Sequence, residues 1–230
     1  MPYSTRTIGF HCELLHPPGP VDPTVVQQLH NELFQSADPP YRSFAVNHDG
    51  CVLSNTPARM GAVSQVFFGA DRIRFNEENS GLTTEEFVER VVTLGGRMAQ
   101  AKQLAVFVGQ VVTVRTLVNP RHYPTALDLL REGVLRWSED DAALGRPVGG
   151  LGVRLVLPGT PEHPNAFNVR VESIPTDRRS VFLENQASFP PLPLAEGLDA
   201  VRARIEATYA FLTGPVLELL ARRDGDGSED

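Results

Sequence analysis

The sequence predicts an α+β fold: a curved, mainly antiparallel sheet built from two strand–helix–strands–helix halves, with the helices packed on one face. Three observations lead there. The stretch at the chain's midpoint, Leu104 to Asn119 (LAVFVGQVVTVRTLVN), alternates with a period of two and is apolar on both sides, as an interior strand is. Most of the remaining apolar patterning also has period two and is broken by turn signals, as in antiparallel sheets. The order of elements after the midpoint strand repeats the order after the first strand of the chain.

The first strand is Arg6–Leu15, where Ile8, Phe10, Cys12 and Leu14 alternate with Thr7, Gly9, His11 and Glu13. His16–Pro23 (HPPGPVDP) is a stiff connection. Asp22 before Pro23 reads as an N-cap followed by proline at the first helical position, and Val25, Val26, Leu29, Leu33 and Phe34 carry a helix to about Gln35. Tyr41–Asn47 and Cys51–Ser54 flank His48-Asp49-Gly50, a hairpin signal of the Asp-Gly type. Val63–Asn76 is strand-like on both sides of Gly69-Ala70-Asp71, either as a hairpin or as one long bulged strand. Thr83 and Glu86 have capping-box spacing at the head of a helix that runs through Phe87, Val88, Val91, Leu94 and Met98. Gly95-Gly96 should weaken its last turns, by about 1 kcal/mol per glycine relative to alanine.

In the second half, Gly109 interrupts the midpoint run and Pro120 ends it, having no N–H to donate. Thr125 and Asp128 repeat the capping-box spacing, with Leu127, Leu130, Val134, Leu135 and Trp137 as the buried stripe of a helix. After a polar loop, Ser138–Pro147, strands are expected at Gly149–Leu157, Phe167–Ile174 and Val181–Gln186. A last helix follows, with Leu198, Val201, Ile205, Tyr209, Leu212, Val216 and Leu219 or Leu220 on one face and a kink or break at Gly214-Pro215. This divides the chain into a first half (1–102), a second half (103–223) sharing one continuous sheet with it, and a disordered acidic tail (224–230).

The element order resembles the duplicated unit of the TATA-binding-protein-like fold, in which two such units form one curved antiparallel sheet with helices on its convex face. Its DNA-binding function is not implied, because a DNA-binding saddle needs basic residues beside apolar wedges and this chain is acidic. The first strand and helix, VRTLVN, the hairpin FNVRVESIPTDRRSVFLENQASF and the terminal LDAVRARIEATYAFLTGPVLELL also resemble a sporadically distributed family of uncharacterised bacterial proteins of similar length. That resemblance implies no catalytic residues.

Composition narrows the function classes. At 230 residues, with 41% apolar and 21% charged residues, the chain is ordinary for a soluble globular protein. No apolar run approaches the ~20 residues of a membrane helix, and the N-terminus has no signal-peptide pattern, so a cytoplasmic location and no membrane partner are expected. The net charge of −7 and the absence of basic clusters argue against nucleic acid. Basic residues are twenty arginines and one lysine, Lys102, which with abundant Ala, Gly and Pro suggests a high-GC bacterial coding bias. Cys12 and Cys51 fall in strands without ligand spacing and are read as buried thiols.

No catalytic signature is present and no cofactor is expected. His11 and Glu13, on one strand face, and His16 just beyond are the nearest approach to a metal set. His48 and Asp49 have the spacing a tight turn requires. The Gly-rich stretch Gly145–Gly152 opens a strand rather than a helix, so it is not a phosphate cradle. Glu77-Glu78-Asn79 and Glu139-Asp140-Asp141 read as solvated loop charge, without calcium-loop spacing. Arg72, Arg74, Arg115, Arg154 and Arg170 recur at outward strand positions. They suit a carboxylate or phosphate partner, or else pair with Glu13, Glu172 and Glu184 across strands. The expected function is a non-enzymatic binding or adaptor protein that holds a protein partner on the open sheet face. The alternatives are a small-molecule or peptide binder with an arginine-bearing cavity, and an enzyme with a dispersed site in which several of His11, Glu13, His48 and Asp49 converge.

Overall fold

A computed structural model describes residues 3–137 and 144–225. Its strands are β1 (Arg6–Leu15), β2 (Ser43–Asn47), β3 (Gly50–Ser54), β4 (Val63–Gly69), β5 (Arg72–Glu78), β6 (Val106–Phe107), β7 (Gly109–Val118), β8 (Gly152–Leu157), β9 (Ala166–Ile174), β10 (Asp177–Phe189) and β11 (Leu192–Pro193). Its helices are α1 (Pro23–Phe34), α2 (Thr84–Ala101), α3 (Ala126–Asp128), α4 (Asp199–Phe211) and α5 (Leu217–Gly225). Nine of the strands form one open antiparallel sheet in the order β2-β3-β4-β5-β1-β7-β10-β9-β8, while β6 and β11 pair separately. The α+β expectation holds.

The centre of the sheet is the pair β1–β7, with Cys12 opposite Val112 and Phe10 opposite Val114. Outward from this pair the remaining strands run backward in chain order on both sides: β5, β4, β3, β2 beyond β1, and β10, β9, β8 beyond β7. The second side is one strand shorter, and nothing in the described chain takes the place beside β8 that β2 takes beside β3.

All five helices pack on one face. Phe10, Cys12, Leu14, Leu53, Phe68, Phe75, Val112, Val114 and Leu183 from the sheet meet Val26 and Leu29 of α1, Phe87, Val91 and Leu94 of α2, and Val201 and Ile205 of α4 in a single core. Two buried amides tie α4 to the strands: Gln110 Nε2 donates to the Val201 carbonyl (3.3 Å) and Asn185 Nδ2 to the Thr208 carbonyl (3.0 Å). At Gly95 a Cβ would stand 2.7 Å from Leu14, and at Gly96 2.8 Å from Leu198. The glycine pair that costs helix propensity therefore lets α2 lie close on β1 and the head of α4.

Local signals fare unevenly. Asp22 accepts from the Thr24 amide at the head of α1, and Thr83 and Glu86 complete a capping box on α2. Val63–Asn76 resolves as a hairpin, β4 and β5 being joined at Ala70-Asp71. The expected interruption of the midpoint run falls at Val108, one residue before Gly109 opens β7, and β6 leaves the main sheet to pair with β11.

The expected stripe through Trp137 is a correction. Thr125 caps only a short α3, which widens into a π-helical segment at Leu129–Val134. The wider turn moves the buried positions to Leu129, Leu130 and Gly133 and leaves Leu135 and Trp137 exposed. A second π-helical segment, Leu212–Val216, accommodates Pro215, which lacks an amide hydrogen, between α4 and α5. In α4 the stripe passes through buried Thr208, and Tyr209 is half-buried beside the Phe10 ring.

The tail boundary is also corrected. Asp224 belongs to α5, is 1% exposed, and accepts hydrogen bonds from the amides of Arg121 (2.7 Å) and His122 (3.1 Å) and from the Tyr3 hydroxyl (2.6 Å). The rest of the expected tail, 226–230, and the acidic loop at Glu139-Asp140-Asp141 lie outside the described residues.

Candidate functional site

The side chains that alternate with the core set project from the sheet face that carries no helix. Gly9, His11, Glu13 and Leu15 of β1 fall on it, with Arg72, Arg74, Asn76 and Glu78 of β5 and Val111, Thr113, Arg115 and Leu117 of β7. From β10 come Phe182, Glu184 and Gln186, from β9 Asn168, Arg170 and Glu172, and from β8 Arg154 and Val156.

The antiparallel registers bring these charges into a ladder across five strands, β5 to β9 in the sheet order. Glu13 accepts from Arg74 (2.6 Å) and Arg72 (3.4 Å), and Arg72 also holds Asp71 (2.9 Å). His11 lies 2.5 Å from Glu78 through Nε2, and Arg115 binds the same carboxylate. Arg115 reaches Glu184 on its other side (2.7 Å), and Glu184 accepts from Arg170 (3.1 Å), whose guanidinium grips Glu172 through two bonds (3.0 and 2.8 Å). Burial pushes the Glu78 carboxyl up, but the His11 bond and the Arg115 charge outweigh it and hold it below the usual range.

One glycine makes the middle of the ladder possible. A Cβ at Gly9 would stand 2.6 Å from Glu78 Oε2, so the carboxylate lies over bare backbone on its way to His11 and Arg115. Glu78 is the member that the sequence reading missed, since Glu77-Glu78-Asn79 looked like a loop. The signal was available: Arg72, Arg74, Asn76 and Glu78 keep the strand alternation to its last residue.

Arg154 differs from the other four expected arginines. It stands directly opposite Arg170, and its Nε donates to the amide oxygen of Asn168 (2.7 Å). Among the described residues no carboxylate pairs with it, and it lies on the strand whose outer edge is open. Leu155, Val156 and Leu157 of the same strand are exposed, Val156 to 67%. On the helix side, β8 and α5 bound an apolar groove of about 170 Å³ lined by Val153, Leu155, Val171, Val216, Leu219 and Leu220. Exposed Leu219 adds to this patch, which follows the open edge.

The remaining expected groupings do not assemble. His16 continues β1 on the helix side of the sheet, opposite His11 and Glu13, so those three do not converge; each of the latter two is engaged by the ladder. Among the described residues no set of three metal-ligating side chains is placed to hold an ion. His48 and Asp49 form the turn between β2 and β3, separated from β1 by β4 and β5. Gly145–Gly152 leads into β8 as a strand entry. Cys12 and Cys51 are buried, and burial pushes the Cys12 thiol up to about 12.

Glu77, the neighbour that points into the core, sits in a separate cluster. It is 1% exposed and accepts from Arg90 (3.0 Å), Tyr41 (2.9 Å) and Ser64 (3.1 Å). Burial raises its carboxyl above the usual range despite these donors. This pins α2 to the first half of the sheet. No helix of the described chain is long and apolar enough to cross a membrane. The chain matches no protein-family model and no curated protein.

Proposed function

We propose that the protein is a binding module that holds a polypeptide partner on the helix-free sheet face, through a strand added along the open edge of β8. One observation carries this reading: the ladder alternates arginine and carboxylate from β5 to β9, then ends at Arg154 on an open edge without a carboxylate. A tenth strand would supply backbone partners to β8, and an acidic residue on it would face Arg154. Its apolar residues, at alternate positions, would fall beside Leu155 and Leu157 and into the groove against α5. Elsewhere the charges of the face are balanced, which offers a polyanion nothing to track and favours a partner with both apolar and acidic groups. The mirrored strand order supports reading the halves as a duplicated unit of the TATA-binding-protein-like kind, with the strand absent from the second half supplied in trans.

The test is capture from a lysate of the native host by wild-type protein, Arg154→Glu, Val156→Lys and Arg154→Lys, read by mass spectrometry. Arg154→Glu places a carboxylate opposite Arg170, so it should fold as well as the wild type while repelling the acidic strand. Val156→Lys puts a charge on the edge, a common block to strand pairing. Partners seen with wild type and Arg154→Lys should be lost from both other variants. Retention by all four would place the docking surface elsewhere.

A further inference from the structure

A second site lies on the helix side of the molecule, independent of the β8 edge. Lys102, the only lysine in the chain, is the residue that caps the C-terminus of α2. Its Nζ lies 3.2 Å from the Gly69 carbonyl and 3.4 Å from His16 Nε2. His16 is 2% exposed, and its Nδ1 lies 2.9 Å from the Pro17 carbonyl. A carbonyl can only accept, so Nδ1 carries the hydrogen and Nε2 presents its lone pair to Lys102. Both side chains line a cavity of about 350 Å³ walled by Pro17, Pro18, Pro20 and Met98. That volume suits a small organic ligand, and the walls suit an apolar one.

We propose that Lys102 captures a carbonyl compound, a small aldehyde or ketone with an apolar body, as an imine in this cavity. The neutral amine's lone pair attacks the carbonyl carbon, the new C–N bond forms, and the carbonyl π pair moves to oxygen. His16 Nε2 takes a proton from nitrogen and delivers it to that oxygen, giving a carbinolamine. Loss of water then leaves the C=N bond, with no oxidant or reductant involved. Lysine is required for this, because a guanidinium keeps its proton, and the other twenty of the chain's lysine and arginine residues are all arginine.

The charged groups around the amine fit the role. Burial draws Lys102 below the usual lysine range, against the opposing pull of Asp71 in the β4–β5 turn. Asp71 is itself held by Arg72, and Asp22, which also lines the cavity, is engaged by the head of α1. Burial likewise lowers His16, so the imidazole is neutral at pH 7.

The experiment is reductive alkylation of the full-length protein with propanal and cyanoborohydride at pH 7, mapped by peptide mass spectrometry. The N-terminal amine serves as an internal reference. Folded protein should label at Lys102 severalfold faster than protein unfolded in urea, where neither burial of the amine nor the neighbouring His16 persists. The labelling profile should reach half-maximum below the pH found for the unfolded chain, and His16→Asn should slow labelling at pH 7. Labelling of Lys102 that is no faster in the folded protein than in urea would overturn the proposal, whatever the variant does.

Discussion

At the residue scale, the outward arginines are structural before they are anything else. Four of the five are engaged by carboxylates, and Arg115 holds Glu78 and Glu184 from the centre of the sheet. Its guanidinium is about a third exposed, so solvent screens part of the interaction, yet Glu184 and Glu78 would be left without their main partner if it were lost. Arg115→Glu should therefore destabilise by about 2 kcal/mol or more, read as a lower urea midpoint at unchanged slope. The sequence showed which residues face outward, because alternation alone decides that. It could not show the pairings, since strand register and the order β5-β1-β7-β10-β9-β8 decide which carboxylate meets which arginine. Glu77 gives the pH prediction. Its folded carboxyl is raised, so the folded state binds that proton more tightly than the unfolded chain does. Its favourable contribution is complete below the ordinary value of 4.5 and is lost as pH rises through the folded value. Glu77→Gln removes this titration, so unfolding free energies measured from pH 4 upward should shift progressively in favour of the variant. A constant difference across that range would mean that Glu77 is not raised.

At the element scale, helix starts were the most legible features, because a cap is a local device: Asp22, Thr83 and Thr125 all accept the amide expected of them. Helix ends and irregular turns were not legible, because distant contacts decide them. Gly133 packs against the Arg223 carbonyl, where a Cβ would come within 2.8 Å, and no local pattern announces that contact. Asp224 is a similar case. Its composition and position suggested a frayed tail, but it satisfies two backbone amides and a tyrosine hydroxyl from the other end of the chain. Losing a buried acceptor of this kind costs about 2 kcal/mol, and for a chain of this size that is about 4–8 °C in melting temperature. A chain ending at Arg223 should melt lower than one ending at Gly225 by that amount, and Asp224→Ala should reproduce the loss. Equal melting temperatures would show that the α5 terminus contributes nothing.

At the scale of the whole molecule, the repeated element order read from the sequence corresponds to a strand order that mirrors itself about β1 and β7. The inequality between its sides was only partly visible, since counting strands does not reveal which edge each ends on. On one side the sheet ends at β2, whose outer edge is also unpaired among the described residues. On the other, β8 is left with an open edge, exposed apolar residues and an arginine lacking a carboxylate. Our reading is that the missing strand belongs to a partner. It is tested most directly by amide hydrogen exchange on the protein alone and in complex with the partner captured by the wild type. Protection should rise at Val153–Leu157 on binding, with β2 at the opposite edge unchanged. Protection confined to β2, or to the helices, with β8 exchanging as in the free protein, would contradict it.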